Sequence, residues 1–248
     1  MFFSIITVTY NAQDSIQHTL KSIASQTCKD YELIVVDGQS IDHTMQMVDN
    51  FKGMINKLKI IVESDKGIYD AMNKGVKHSK GDYIYFLNAG DCFYDKNVLE
   101  NVKSFILHDV SNRQQRNKVI YYGNIVRDRE KVTFPQKFSE WKWIYLEKAY
   151  FSHQAIFSSR DLLENFPFDI SLRICADRDW LIRSMRDKAD YICMEKITVA
   201  CYEGGGVSAG FKNQQVDSLA ISERYGGKKA LYFVKFKRKI GELLGHER

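Results

Sequence analysis

The chain has 248 residues with 36 Lys+Arg against 31 Asp+Glu, 44% apolar and 27% charged. That is the composition of a globular protein able to bury a substantial core, as one large domain or two small ones. Its five cysteines (28, 92, 175, 193 and 201) are odd in number and contain no C-x-x-C pair, which argues against a disulfide framework and a zinc site. Residues 228–248 hold seven Lys/Arg and two Asp/Glu, leaving 29 of each sign in the rest, so the body lacks the basic surplus that a nucleic-acid partner requires.

The start, MFFSIITVTYNAQD, is apolar without a basic n-region or a small-residue cleavage site, and reads as a first strand rather than a signal peptide. No apolar run approaches the ~20 residues of a membrane span, so a cytoplasmic chain is expected. Residues 3–10 predict a strand. Residues 14–26 carry Ile16, Leu20, Ile23 and Ala24 at helical spacing behind Asp14 or Ser15 as cap. YELIVVD (31–37) predicts a buried strand, and 40–51 a second helix opened by Ser40 or Asp42. KLKIIVES (57–64) predicts a third strand, GIYDAMNKGVKHS (67–79) a helix with Ile68, Ala71, Met72 and Val76 inward, and GDYIYFL (81–87) a fourth strand.

Strands alternating with helices over short connections predict a parallel sheet covered on both faces. Right-handed crossovers then gather the C-terminal strand ends on one edge, where open α/β sheets bind ligands. That edge comprises Thr9-Tyr10-Asn11, Asp37-Gly38, Glu63-Ser64-Asp65 and Asn88 to Asp91. The first turn, TYNAQDS, has no glycine, so the dinucleotide fingerprint and a Rossmann dehydrogenase are disfavoured, as is a P-loop. Beyond residue 95 the pattern is mixed. A helix near 96–109 leads through polar HDVSNRQQRNK to strand-like KVIYYGNIVRD and KVTF, an aromatic-rich stretch, a helix in CADRDWLIRSM, and strands in ADYICMEKITVACY.

VTYNAQDSIQHTLKSIASQ, ELIVVDGQSIDHT, SDKGIYDAMNKG, YFLNAGD, SHQAIF, ADRDWLIR and GGGVS stand in one order over residues 3–208. In that order they resemble family-2 glycosyltransferases of the GT-A fold, and in particular bacterial enzymes of O-antigen, capsule or exopolysaccharide synthesis. The resemblance implies an α/β GT-A fold with a Rossmann-like, mainly parallel sheet flanked by helices. Residues 1–227 form the transferase domain, with 1–95 the nucleotide-sugar half and 96–227 the acceptor half; 228–248 is a basic amphipathic extension.

The resemblance also implies roles. Thr9, Tyr10, Asn11, Asp37, Asp65, Lys66, Asn88 and Ala89 hold the nucleotide, Tyr10 by stacking on the base and Asp37 by accepting from it. Tyr69, Asp70, Asn73, Gly90, His153 and Asp179 face donor sugar or acceptor. Asn88 to Asp91 match the Asp-any-Asp region, with Asp91 the ligand of a Mg2+ or Mn2+ ion, and Asp177 matches the general base of inverting members. Where many members carry acids this chain has Asn88 and Gly90, which leaves Asp91 as one firm carboxylate. The implied reaction moves a hexose from a nucleotide-diphosphate sugar, UDP-linked, to a polyprenyl-diphosphate-linked saccharide.

Local readings stand beside these. Asp91 could cap the following helix; Asp179 is the alternative to Asp177 as base, or stands four before Arg183 as an ion pair; His153 reads either as an acceptor or metal contact or as a structural histidine. Gly204 to Gly206 read either as a closing loop or as a turn. On a C-terminal helix Phe233, Phe236, Ile240, Leu243 and Leu244 share one side and Lys228, Lys235, Arg238 and Lys239 another. Either the apolar side packs on the domain, or the helix lies on an anionic membrane, peripheral to its inner face. The rival functions are a non-catalytic sugar-nucleotide-binding protein and a sugar nucleotidyltransferase. The latter wants a glycine- and arginine-rich N-terminal loop that TYNAQDS does not provide.

Overall fold

The structure is a computed structural model that describes residues 1–112, 118–134, 142–146, 152–202 and 211–243. The first ninety residues follow the expected alternation: β1 (Phe3–Thr9), α1 (Ile16–Ala24), β2 (Tyr31–Asp37), α2 (Thr44–Asp49), β3 (Leu58–Val62), α3 (Ile68–Lys77) and β4 (Tyr83–Phe86). β1 and β2 are buried along their whole length, the reason their apolar runs are continuous and not alternating. Two buried polar residues of these strands bond each other: Ser4 Oγ donates to Glu32 Oε1 at 2.6 Å, and the same oxygen accepts the Lys80 N–H at 2.6 Å. This ties the turn before β4 to the sheet. His43 stands at the N-cap position of α2 without a side-chain bond; Asp42 Oδ1 accepts the Thr44 N–H at 2.9 Å and so serves the first turn, while Ser40 is committed to Asp37 (below).

The register aligns the strand ends. Thr9 stands opposite Asp37, and Asp37 opposite Val62. After β4 the chain continues beside β1, Leu87 N–H donating to Ile6 O and Ala89 N–H to Val8 O. Thr9, Asp37, the residues after Val62, and Asn88 to Asp91 thus reach one rim.

The second half supplies β5 (Cys92–Phe93), α4 (Val98–Asn112), β6 (Val119–Arg127), β7 (Glu130–Val132), α5 (Lys142–Tyr145), β8 (Ile156–Ser159), α6 (Arg160–Asn165), α7 (Ala176–Arg186), β9 (Asp190–Tyr202) and α8 (Phe211–Leu243). The sheet order is β3-β2-β1-β4-β8-β6-β9-β5, with β7 hairpinned on β6. Parallel pairing holds for β1 to β4; β8 then runs antiparallel to both β4 and β6, so the whole sheet is mixed. Tyr85 and Phe157 stack across the β4–β8 boundary at 4.4 Å. The fully buried Tyr85 hydroxyl donates to Gln154 O at 2.7 Å, fixing a 3-10 turn over His153–Ala155 at the same rim. No disulfide joins the described cysteines, and no described helix is long and apolar enough to cross a membrane.

Candidate functional site

A cavity of about 420 Å³ opens at the rim formed by the ends of β1 and β4, inside the range of small-molecule sites. One wall comes from Thr9, Tyr10, Asp65 and Tyr69, the floor from Asn88, Ala89 and Asp91, and the far wall from His153, Gln154 and the segment Arg173 to Arg178. Of the residues predicted for the site, Thr9, Tyr10, Asp65, Tyr69, Asn88, Ala89, Asp91, His153 and Asp177 line this space. Tyr10 is 64% exposed, its ring open to a planar partner.

Asp177 lies in the first turn of α7, and its neighbours hold it from three sides. Its Oδ1 accepts the Tyr69 hydroxyl at 3.1 Å and the Arg178 N–H at 2.8 Å. Its Oδ2 is 3.5 Å from His153 Nδ1. Tyr69 also lies 2.6 Å from Ile174 O. Burial, and then the charge of Asp177, push the Tyr69 phenol well above its ordinary pKa, so it stays protonated and a donor. On its other side His153 Nε2 is 3.1 Å from Asn88 Nδ2. One chain of contacts therefore crosses the cavity from Tyr69 through Asp177 and His153 to Asn88.

Asp91 is 9% exposed, and its Oδ2 accepts from Gln154 Nε2 at 3.2 Å. Burial pushes its pKa up to about 6, against the opposing pull of His153 and Gln154. A buried carboxylate that is costly to ionise is well placed to gain from a cation. The neighbouring Asn88 Oδ1 is buried and has no hydrogen-bond donor among the described residues. Those two oxygens fit Mg2+ or Mn2+, which take one or two protein oxygens and complete their shell with phosphate and water. Among the described residues no three His, Cys, Asp or Glu side chains converge on a point, so the protein share of such a shell is small.

Other predicted residues are not part of the cavity lining. Asp37 is fully buried, and both its oxygens are taken by Ser40, from N–H at 2.8 Å and from Oγ at 2.5 Å. Ser40 Oγ in turn accepts the Asn11 N–H at 2.8 Å, and Asn11 Oδ1 accepts the Ile41 N–H at 2.9 Å. Asp37 and Asn11 thus lock loop 38–41 onto the first turn. Gly38 sits so close behind Tyr10 and Asp65 that a Cβ there would lie 2.6 Å from Asp65 Oδ2. Lys66 and Asp70 close the first turn of α3, Asp70 Oδ2 accepting the Lys66 N–H at 3.0 Å. Asn73 exchanges two 2.9 Å bonds with the Phe168 backbone, splinting α3 to the segment before α7. Gly90 presents only its N–H, bonded to Thr19 Oγ1 at 3.0 Å.

Asp179 corrects the expectation most clearly. Residues two apart on an α-helix point ~200° away from each other, so Asp177 and Asp179 face opposite sides of α7. Asp179 is fully buried in an ionic cluster with Arg183 Nε at 2.7 Å, Arg224 Nη1 at 2.8 Å and the Tyr225 hydroxyl at 2.7 Å. It fastens α7 to α8, and none of these side-chain partners lines the cavity. The glycine segment 204–206 lies outside the described residues.

Residues missed from the sequence include Gln154, Arg173, Arg178, Tyr202 and Gln214 in the lining, and Asp217. Asp217 Oδ2 accepts the N–H groups of Ile174 at 2.6 Å and Cys175 at 3.1 Å, capping the approach to α7 from a helix some 40 residues later. Gln154 and Arg178 adjoin His153 and Asp177, a signal available in the sequence; for Tyr202, Gln214 and Asp217 it carried none.

The chain is similar to known proteins. The PGL/p-HBAD biosynthesis glycosyltransferase of Mycobacterium bovis is 32% identical over 238 residues, 94% of this chain and 90% of the relative. Among solved structures, S. aureus TarS residues 1–349 in complex with UDP superposes with a TM-score of 0.68 at 19% identity, over 90% of this chain and 66% of that one. The chain spans 40% of the longer TarS structure. The mannosyltransferase PcManGT from Pyrobaculum calidifontis, in complex with GDP-Man and Mn2+, superposes with a TM-score of 0.66 at 17% identity, over 97% of this chain and 75% of that one. At such identities the likeness is one of fold, the GT-A fold. The family model for glycosyl transferase family 2 matches residues 4–166, and the chain belongs to that family.

Proposed function

We propose that this protein is an inverting hexosyltransferase. It moves one sugar from a nucleotide diphosphate, UDP-linked, to a saccharide carried on a polyprenyl diphosphate, as in the assembly of bacterial surface polysaccharide. In this reading residues 1–95 hold the donor, 96–227 shape the acceptor side, and the protein works at the cytoplasmic face of the membrane. The observation that carries the reading is that Asp91 and Asp177 line one cavity at the strand ends, with contacts running from Asp177 through His153 to Asn88. Nucleotide sugars bound by the fold relatives TarS and PcManGT support the donor class, and the name of the mycobacterial relative supports a glycosylated product.

The chemistry follows from the geometry. Tyr10 stacks on the base, with Asp65 beside it. Asp177 accepts the proton of the incoming acceptor hydroxyl while that oxygen bonds to the anomeric carbon. The bond from that carbon to the diphosphate oxygen breaks, and its electron pair leaves with the nucleoside diphosphate. Tyr69 and the Arg178 N–H fix Oδ1 of Asp177, which leaves Oδ2 to take the proton. Asp91 and Asn88 would hold a Mg2+ or Mn2+ ion, which would supply positive charge to the departing diphosphate. Arg173 and Arg178 in the far wall add fixed cationic charge to the same space.

Titration with a panel of UDP- and GDP-sugars, with and without Mn2+, followed by assay of nucleoside diphosphate release, tests the proposal. Binding and slow release with at least one donor are expected. Binding without turnover under any acceptor condition identifies a sugar-nucleotide-binding protein, and no binding at all refutes both readings.

A further inference from the structure

The last helix has two apolar faces, one turned inward and one exposed. Gly227 adopts a left-handed conformation (φ 64°) and kinks α8. Beyond it Ala230 and Val234 turn inward and are buried, whereas Tyr232 and Phe236 are each 66% exposed, and Phe233 and Ile240 are exposed as well. At ~100° per residue these four side chains occupy a single outward sector. Lys228, Lys235 and Lys239 run along one flank, Lys237 along the other, and Lys229 lies within it. No Asp or Glu occurs between Glu223 and Glu242. The sequence allowed the large apolar residues to face the body; small Ala230 and Val234 take that place instead and leave the aromatic face outside.

We propose that this outward face of residues 228–240 lies on the anionic surface of a lipid bilayer. Its aromatic and aliphatic side chains enter the headgroup layer, and the flanking lysines meet lipid phosphates. Charge selects this occupant over a second copy of the chain. An isologous contact would bring the same lysines of two copies together, and like charges in juxtaposition oppose it. The helix is also joined to the site: before the kink, Gln214 lines the cavity and Asp217 caps the segment leading to Asp177. Docking the outer half therefore holds the Asp177 side of the molecule near the membrane. The inference rests on exposure and charge and stands whatever the enzyme transfers.

Flotation of the full chain with phosphatidylcholine vesicles, with and without phosphatidylglycerol, tests it. Co-flotation is expected with the anionic vesicles alone and is expected to fall as salt rises. Lys235→Glu with Lys239→Glu weakens partitioning by at least about fivefold for each cation lost, and Tyr232→Glu with Phe236→Glu abolishes it. Thermal melts stay at the wild-type midpoint, since these side chains are exposed. Absence of flotation, equal flotation without phosphatidylglycerol, or flotation that survives both double variants would overturn the proposal. So would a dimer in light scattering that Phe236→Glu dissociates, since the face then belongs to a second copy. The vesicle-composition arm uses the unaltered protein and decides the matter even where a variant fails to fold.

Discussion

Replacing Asp179 by asparagine separates architecture from chemistry on α7. The carboxylate is fully buried and answers two guanidinium groups and one phenol at 2.7–2.8 Å. Removing one partner of a buried ion pair costs about 3–5 kcal/mol. Side-chain exposures of 25% for Arg183 and 41% for Arg224 let both arginines turn to water, which places the cost at the lower end, about 3 kcal/mol. For a chain of this size each kcal/mol moves the melting midpoint by roughly 2–4 °C, so Asp179→Asn should melt roughly 6–12 °C lower. The assay is thermal denaturation by circular dichroism, paired with turnover measured well below the lowered midpoint, where the variant should still work. An unchanged melt accompanied by lost turnover would refute the reasoning, because Asp179 would then act in the cavity and the assignment of faces on α7 would be inverted.

Asp177→Asn should do the reverse, lowering turnover by about 10²–10⁴-fold, the range of a lost general base, while donor affinity measured by calorimetry and the melting midpoint hold. Tyr10→Ala should weaken donor binding by about 1–3 kcal/mol, as expected for loss of one base–aromatic stack, seen as a raised Kd with little change in maximal rate. Asp91 titrates near pH 6 in the folded protein, above the ordinary carboxylate value of about 3.9. The folded state thus binds this proton more tightly than the unfolded chain. The group's contribution to stability is complete below about pH 4 and declines as pH rises to about 6. Denaturant titrations across that window should show the decline in wild type and lose it in Asp91→Asn. Cation-assisted donor binding should weaken as pH falls through the same value.

The donor-side edge was legible because apolar strands alternating with helices over short connections read as central parallel strands, and their polar ends then fall together. The presence of Tyr10, Asp65, Asn88 and Asp91 around one cavity follows from that topology. Which polar groups at the edge face the cavity was not legible. Asp37 and Asn11 look like ligand-binding residues from their position, yet Ser40, a residue read as a possible helix cap, consumes the Asp37 carboxylate. Asn73 lies one helical turn from Tyr69, but its amide completes the backbone of Phe168, 95 residues away. The two carboxylates of α7 illustrate the same limit. Helical spacing alone separates their faces, but choosing which face meets the cavity needs Arg224 and Tyr225, contributed by a helix whose docking no local pattern encodes. The reversal of the sheet at β8 was likewise hidden, since a four-residue apolar strand reads the same in either direction.

The anomeric configuration of the product, determined by NMR on material made from an α-linked nucleotide sugar, tests the role given to Asp177 most directly. One displacement assisted by that carboxylate yields the β-linked sugar. An α-linked product would require a second displacement on the enzyme, and the cavity as described would have its base in the wrong role.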